Sequence, residues 1–191
     1  MLPRIPGSFA GCLLIVQHMP PGYTADLARC LDQRTALTVL EARHGDRILP
    51  GVAYVAPGGC HMEFAHDRIK LHTAPRRNMH RPSVDVLFES LISVAERVHA
   101  VMLSGMGDDG VEAMQHLRFS GAATLVQDEA SSVVWGMPGS AVHTGCASIQ
   151  MPPARIAEYL HAVIGTVRDT VDAKESPRAA AGVRSSRVLV Q

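Results

Sequence analysis

Residues 100–126, AVMLSGMGDDGVEAMQHLRFSGAATLV, decide the fold. An apolar run over 100–103 reads as a strand, 104–109 as a glycine-rich loop, 110–119 as a helix and 123–126 as a second strand. Two strands joined by a crossover helix form a βαβ unit, whose strands lie parallel in one sheet. The same alternation extends upstream. A strand over 12–17 precedes a turn at Met19-Pro20-Pro21-Gly22 and a helix over 24–33 with Leu27, Cys30 and Leu31 at helical spacing. Strands follow at 37–42 and 52–56, and runs at 61–64 and 68–72 read as a small hairpin. Residues 72–85 are polar and broken by prolines, predicting a surface loop that ends in a helix N-terminus at Ser83. Over 84–98, Val84, Leu87, Phe88, Leu91 and Val94 or Ala95 form one apolar stripe, predicting an amphipathic helix. Downstream come a short helix over 139–143, a strand over 147–150 and a helix from Pro152-Pro153 to about Val171. The pattern predicts an α/β fold: a three-layer, doubly wound, mostly parallel sheet, Rossmann-like, with a small antiparallel hairpin. Residues 1–171 form the domain, and 172–191, which lack a periodic apolar face, form a mobile tail.

Composition narrows the function. Of 191 residues, 47% are hydrophobic, which excludes disorder, and 18 Lys and Arg balance 18 Asp and Glu, which removes a general pull toward nucleic acid or anionic lipid. No apolar run approaches the roughly 18–20 residues of a membrane span, so no membrane insertion is expected, and the N-terminus does not read as a signal peptide. Cys12, Cys30, Cys60 and Cys146 form no C-x-x-C pair, which fits inert core thiols in a reducing cytoplasm.

In doubly wound sheets ligands bind beyond the carboxyl ends of the strands. His18 follows the first strand there, and Gly105-Met106-Gly107-Asp108-Asp109-Gly110 follows the central one. A histidine and a carboxylate on neighbouring loops can act as a base and its orienting acid; equally, they can be a structural histidine beside a capping aspartate. The loop also matches G-x-G-x-x-G, with Asp128 after the next strand as a dinucleotide fingerprint requires. Asp108 and Asp109 would repel a pyrophosphate at the helix N-terminus, which argues against nucleotide binding. As a turn, the loop leaves backbone N–H groups such as that of Met106 free to stabilise an oxyanion.

The segments IVQHMPPGYTADLARCLD, VAYVAPGGCHMEF, HRPSVDVLFESL, VMLSGMGDDGVEAM and LVQDEASSVVWGMPGSAV occur in one order. Together they resemble the catalytic domain of the CheB family, bacterial chemotaxis protein-glutamate methylesterases that also often deamidate receptor glutamines. The resemblance covers roughly residues 2 to 165. It implies His18 as catalytic histidine, Asp109 as its aspartate with Asp108 a mere neighbour, and Met106 as the oxyanion position. It also implies methyl-accepting chemoreceptors as partners, and no cofactor or metal. Arg81 and Ser83 of the RPSVD segment, Gln127 and Met137 are candidates for the substrate-facing surface. One departure stands out: the family carries a strand, a nucleophile loop G-A-S-x-G-G and a helix before the QHMP strand. The sequence opens in what resembles the end of that helix, so the nucleophile serine is expected to be absent from this chain, leaving either an incomplete enzyme or a receptor-binding homologue. The neighbours of the missing interior strand are expected to be left unpaired. Ser8, ten residues before His18 and with no strand before it, does not fit the nucleophile position. A receiver domain, which often precedes this catalytic domain, is not encoded in these residues.

Overall fold

Helices cover both faces of a seven-stranded sheet, as the alternating pattern predicts. The computed structural model describes residues 1–166 and the backbone of residues 187–190. Its sheet strands are β1 (Cys12–Ile15), β2 (Thr38–Glu41), β3 (Val52–Val55), β6 (Val98–Met102), β7 (Ala123–Gln127), β8 (Ile149–Met151) and β9 (Arg187–Val190). They run in the order β2-β3-β1-β9-β6-β7-β8, and every neighbouring pair is parallel. The hairpin β4 (His61–Ala65) and β5 (Arg68–His72) stands apart as an antiparallel pair.

Alternation along the strands divides the core. Leu14 of β1 and Val16 just beyond it face α2 (Val84–Glu89), α3 (Val111–Phe119), α4 (Gly136–His143) and the hairpin, packing with Leu87, Met114, Met137 and Met62. Leu13 and Ile15 face the opposite layer, α1 (Tyr23–Asp32) and α5 (Pro153–Ile164), packing with Ala28, Ile156 and Leu160. Strands buried on both faces read as continuous apolar runs, which is why CLLIV and HAVML carry no polar alternation.

Three expectations are corrected. The apolar stripe over 84–98 is not one helix: α2 stops at Glu89, and a 3-10 segment, Ile92–Arg97, follows with Val94 at φ −126° and ψ 19°. Ser90 causes the break. Its hydroxyl donates to the Leu87 carbonyl at 2.6 Å while accepting the Phe64 N–H from β4 at 2.9 Å, competing with the helical ladder and binding it to the hairpin. The stripe persists because 3-10 spacing still returns residues to one face every three positions. Second, residues 187–190 are not tail but the central strand: Leu189 pairs with Leu14 of β1 and Ala100 of β6, so β1 and β6 are not left with bare edges there. The remainder of the expected tail, 172–186 and 191, lies outside the described residues, and α5, expected to reach about 171, already ends at Ile164, where Gly165 takes φ 77°. Third, the cysteines are not uniformly core: Cys12 and Cys146 are buried, but Cys30 is exposed on α1, whose inward face is Thr24 and Ala28, and Cys60 is half-buried.

Candidate active site

The chain leaves β1 through Val16 and Gln17 to His18, and leaves β6 through Leu103 into the loop that precedes α3. With β9 between them, the two loops emerge on either side of the central strand, where strand order reverses and a crevice forms.

Asp109 is the hub of this crevice. It is 1% exposed, and its two oxygens take four hydrogen bonds. Oδ2 accepts from His18 Nε2 at 2.7 Å and from the Val84 N–H at 2.7 Å; Oδ1 accepts from the Ser83 hydroxyl at 2.7 Å and from the Asp85 N–H at 3.4 Å. Asp109 thus caps α2 from another part of the chain. Ser83 occupies the N-cap position that its sequence predicts, but its hydroxyl turns to Asp109 and caps nothing itself. Burial alone would raise the Asp109 carboxyl, yet the hydrogen bonds from His18, Ser83 and Val84 outweigh it and hold the group below its usual range. A carboxylate only accepts, so His18 Nε2 carries the proton it donates, which makes Nδ1 the atom that holds the lone pair in the neutral ring. The arrangement can therefore withdraw a proton at Nδ1 and spread the resulting charge onto Asp109.

The loop Ser104–Gly110 is pinned at its start. The Gly105 N–H donates to the Val134 carbonyl at 3.0 Å, and the Gly105 carbonyl accepts the Met137 N–H at 2.9 Å. Gly136 permits this approach, since a Cβ there would sit 2.8 Å from the Gly105 oxygen and 3.1 Å from Met106 Cα. Gly107 then turns the chain at φ 93°, a conformation that favours glycine. Among the described residues no acceptor takes the Met106 N–H, and the Met106 side chain is 78% exposed.

The other residues singled out from sequence divide. Ser83 joins the site through Asp109. Arg81 donates from its guanidinium to the Thr73 and Ala74 carbonyls at 2.9 and 3.0 Å, bracing the loop it ends. Gln127 is a bolt between loops, its Oε1 accepting the Ser104 N–H at 2.8 Å and its Nε2 donating to the Ser131 carbonyl at 2.8 Å. Met137, in the first turn of α4, is wholly buried. Asp108 is exposed beside the hub, on a groove shared with Asn78, Met79, Glu112 and His143. Ser8 lies before β1, at the amino ends of the strands, across the sheet from His18. Asp85, which the RPSVD segment carries beside Arg81 and Ser83, turns its buried carboxylate to the Ala113 N–H at 3.1 Å and is pushed up chiefly by its burial. Sequence reading passed over His80, whose ring meets His18 across 62 residues of chain and leaves no periodic trace.

Comparison with known proteins bears on this geometry. A family model described as CheB methylesterase matches residues 1–160. A Pseudomonas aeruginosa protein-glutamate methylesterase/protein-glutamine glutaminase 2 is 50% identical over 153 residues, 78% of this chain and 44% of that protein. A Shigella flexneri protein-glutamate methylesterase/protein-glutamine glutaminase is 46% identical over 157 residues, 80% of this chain and 45% of that protein. The chain therefore spans less than half the length of these curated relatives. The crystal structure of the Thermotoga maritima CheB methylesterase catalytic domain superposes with a TM-score of 0.82 at 34% identity, covering 86% of this chain and 89% of that one. The doubly wound fold and this match over most of the sequence place the chain in the CheB methylesterase family.

Proposed function

We propose that this chain acts as a protein-glutamate methylesterase on methyl-accepting chemoreceptors, with His18 as general base and acid, Asp109 as its orienting carboxylate and the Met106 N–H as oxyanion donor. The single observation that carries the reading is the buried, four-bonded Asp109 holding His18 Nε2 at 2.7 Å, which leaves Nδ1 as a base. In this chemistry the imidazole takes a proton from a serine hydroxyl, which the family resemblance puts on a G-A-S-x-G-G loop and on none of these 191 residues, as its oxygen attacks the glutamyl ester carbonyl. The tetrahedral oxyanion is met by the Met106 N–H, and the imidazolium returns the proton to the departing methoxide, releasing methanol. Water, activated by the same imidazole, then cleaves the acyl-enzyme to free the glutamate carboxylate. A glutamine side chain follows the same course with ammonia as the leaving group, in keeping with the glutaminase half of the relatives' names.

No serine hydroxyl among the described residues hydrogen-bonds to His18, and Ser83 spends its proton on Asp109. That observation favours a second reading, a homologue that binds receptors without turnover. Methanol release from methyl-esterified receptor separates the two: the first reading requires release that stops in His18→Gln, and the second requires receptor binding with no release.

A further inference from the structure

His80 has no part in the chemistry above, yet its ring lies flat on that of His18, with centroids 3.8 Å apart and planes 9° from parallel. A single hydrogen bond from Nε2 to Asp109 fixes one atom of the His18 ring but leaves the ring free to rock about that bond. A second, planar contact removes this freedom.

The second ring is delivered by a built turn. Arg77 and His80 exchange both backbone hydrogen bonds, at 3.1 and 2.8 Å, closing a two-residue turn over Asn78 and Met79 at φ 48° and 67°. Left-handed backbone suits asparagine but strains methionine, and such strain persists only where the surroundings over-determine it. Here they do: Asn78 Nδ2 donates to Asp85 Oδ2 at 2.6 Å, the Arg76 guanidinium donates to the Met79 carbonyl at 3.2 Å, and that of Arg77 to Glu89 at 3.1 Å. Asp85 in turn donates its N–H to Asp109. The contacts close a circuit from Asp109 through His18, His80, the turn and Asp85 back to Asp109. Burial, with His18 and Arg76, pushes the His80 imidazole down against the opposing pull of Asp109 and Asp108, which disfavours a charge on the stacked ring.

We propose that His80 is a positioning residue for His18, its ring clamping the His18 imidazole in the plane in which Nε2 meets Asp109 and Nδ1 faces the reacting side. The proposal rests on reading His18 as the base, but the clamp can be measured without the reaction. In the full chain with labelled histidines, NMR follows the His18 Nε2 proton bonded to Asp109 in wild type, His80→Phe, His80→Leu and His80→Ala. Phenylalanine keeps a flat face, so H80F retains wild-type exchange of that proton with water. H80A and H80L exchange it roughly 3- to 10-fold faster, the factor corresponding to the energy of one aromatic pair, while amide signals of the sheet stay in place. Leucine fills the space without a plane, so an H80L rate equal to wild type would reduce the contact to packing and overturn the proposal. So would an H80A rate equal to wild type, or an H80F rate equal to H80A. Absence of methanol release with these rate differences intact would remove the proposed reaction and leave the clamp standing.

Discussion

Replacing Asp109 by Asn and by Ala should produce two different proteins. In D109N the amide can turn so that its NH2 takes the Oδ1 position, where the Ser83 hydroxyl reverses and accepts from it. The remaining oxygen then still accepts from His18 and the Val84 N–H, and the losses are the charge and the long 3.4 Å contact with the Asp85 N–H. A charge-assisted bond exceeds a neutral one by about 1 kcal/mol, so D109N should cost about 1–2 kcal/mol. In D109A the Ser83 hydroxyl and the Val84 and Asp85 N–H groups lose their acceptor in a site that is itself fully buried, and α2 loses its cap. Unpaired buried groups cost about 1–3 kcal/mol each without being additive, so D109A should cost about 3–5 kcal/mol. Urea unfolding followed by circular dichroism at pH 7 measures both. Acid adds a signature. The folded Asp109 carboxyl lies below its ordinary value of 3.8, so the unfolded chain binds the extra proton between the two values. The stabilisation is complete above the unfolded value and is lost as pH falls through the folded one. The difference curve between wild type and D109N should therefore shrink toward acid pH. Equal losses in D109A and D109N at pH 7, or a difference curve flat with pH, would refute the hub role.

Met106→Ala should change stability by no more than about 0.5 kcal/mol and leave methanol release within a few-fold of wild type, because the side chain is exposed and the assigned role is backbone; differential scanning calorimetry with the release assay checks it. Gly136→Ala should push the Gly105–Met106 backbone aside, costing about 1–3 kcal/mol in urea and lowering kcat well beyond M106A. Leu189→Pro removes an N–H from the central strand and should cost about 3 kcal/mol, with amide exchange accelerated at Leu14 and Ala100; unchanged exchange there would contradict the placement of β9.

Most strands and the crossover helices were legible because each apolar run ends at a turn signal, as at Pro57-Gly58-Gly59 and Ser104-Gly105. The end of α2 was not, since Ser90 breaks the helix through a contact with Phe64 that only the folded hairpin supplies. Nor was β9: four residues carry no period, and their strand conformation follows from the open position between β1 and β6. At the site, His18 and the loop holding Asp108 and Asp109 stood out by their place after strands, the family resemblance alone singling out Asp109, whereas Gln127, Arg81 and Met137 share the same motifs yet serve as loop bolt, loop brace and core. Motif membership locates a neighbourhood; the direction of a side chain depends on helix phase and on distant acceptors, as Ser83 shows by leaving its own helix for Asp109.

The central claim is that the His18–Asp109 pair drives ester hydrolysis, and methanol release from methyl-esterified chemoreceptor by protein that carries the family's G-A-S-x-G-G loop together with these residues tests it most directly. The account predicts release by the wild-type protein that falls by at least about 10²-fold in His18→Gln, with D109N also impaired because His18 loses the charge that stabilises its imidazolium. Absence of release from that protein, or release undiminished in His18→Gln, would contradict it.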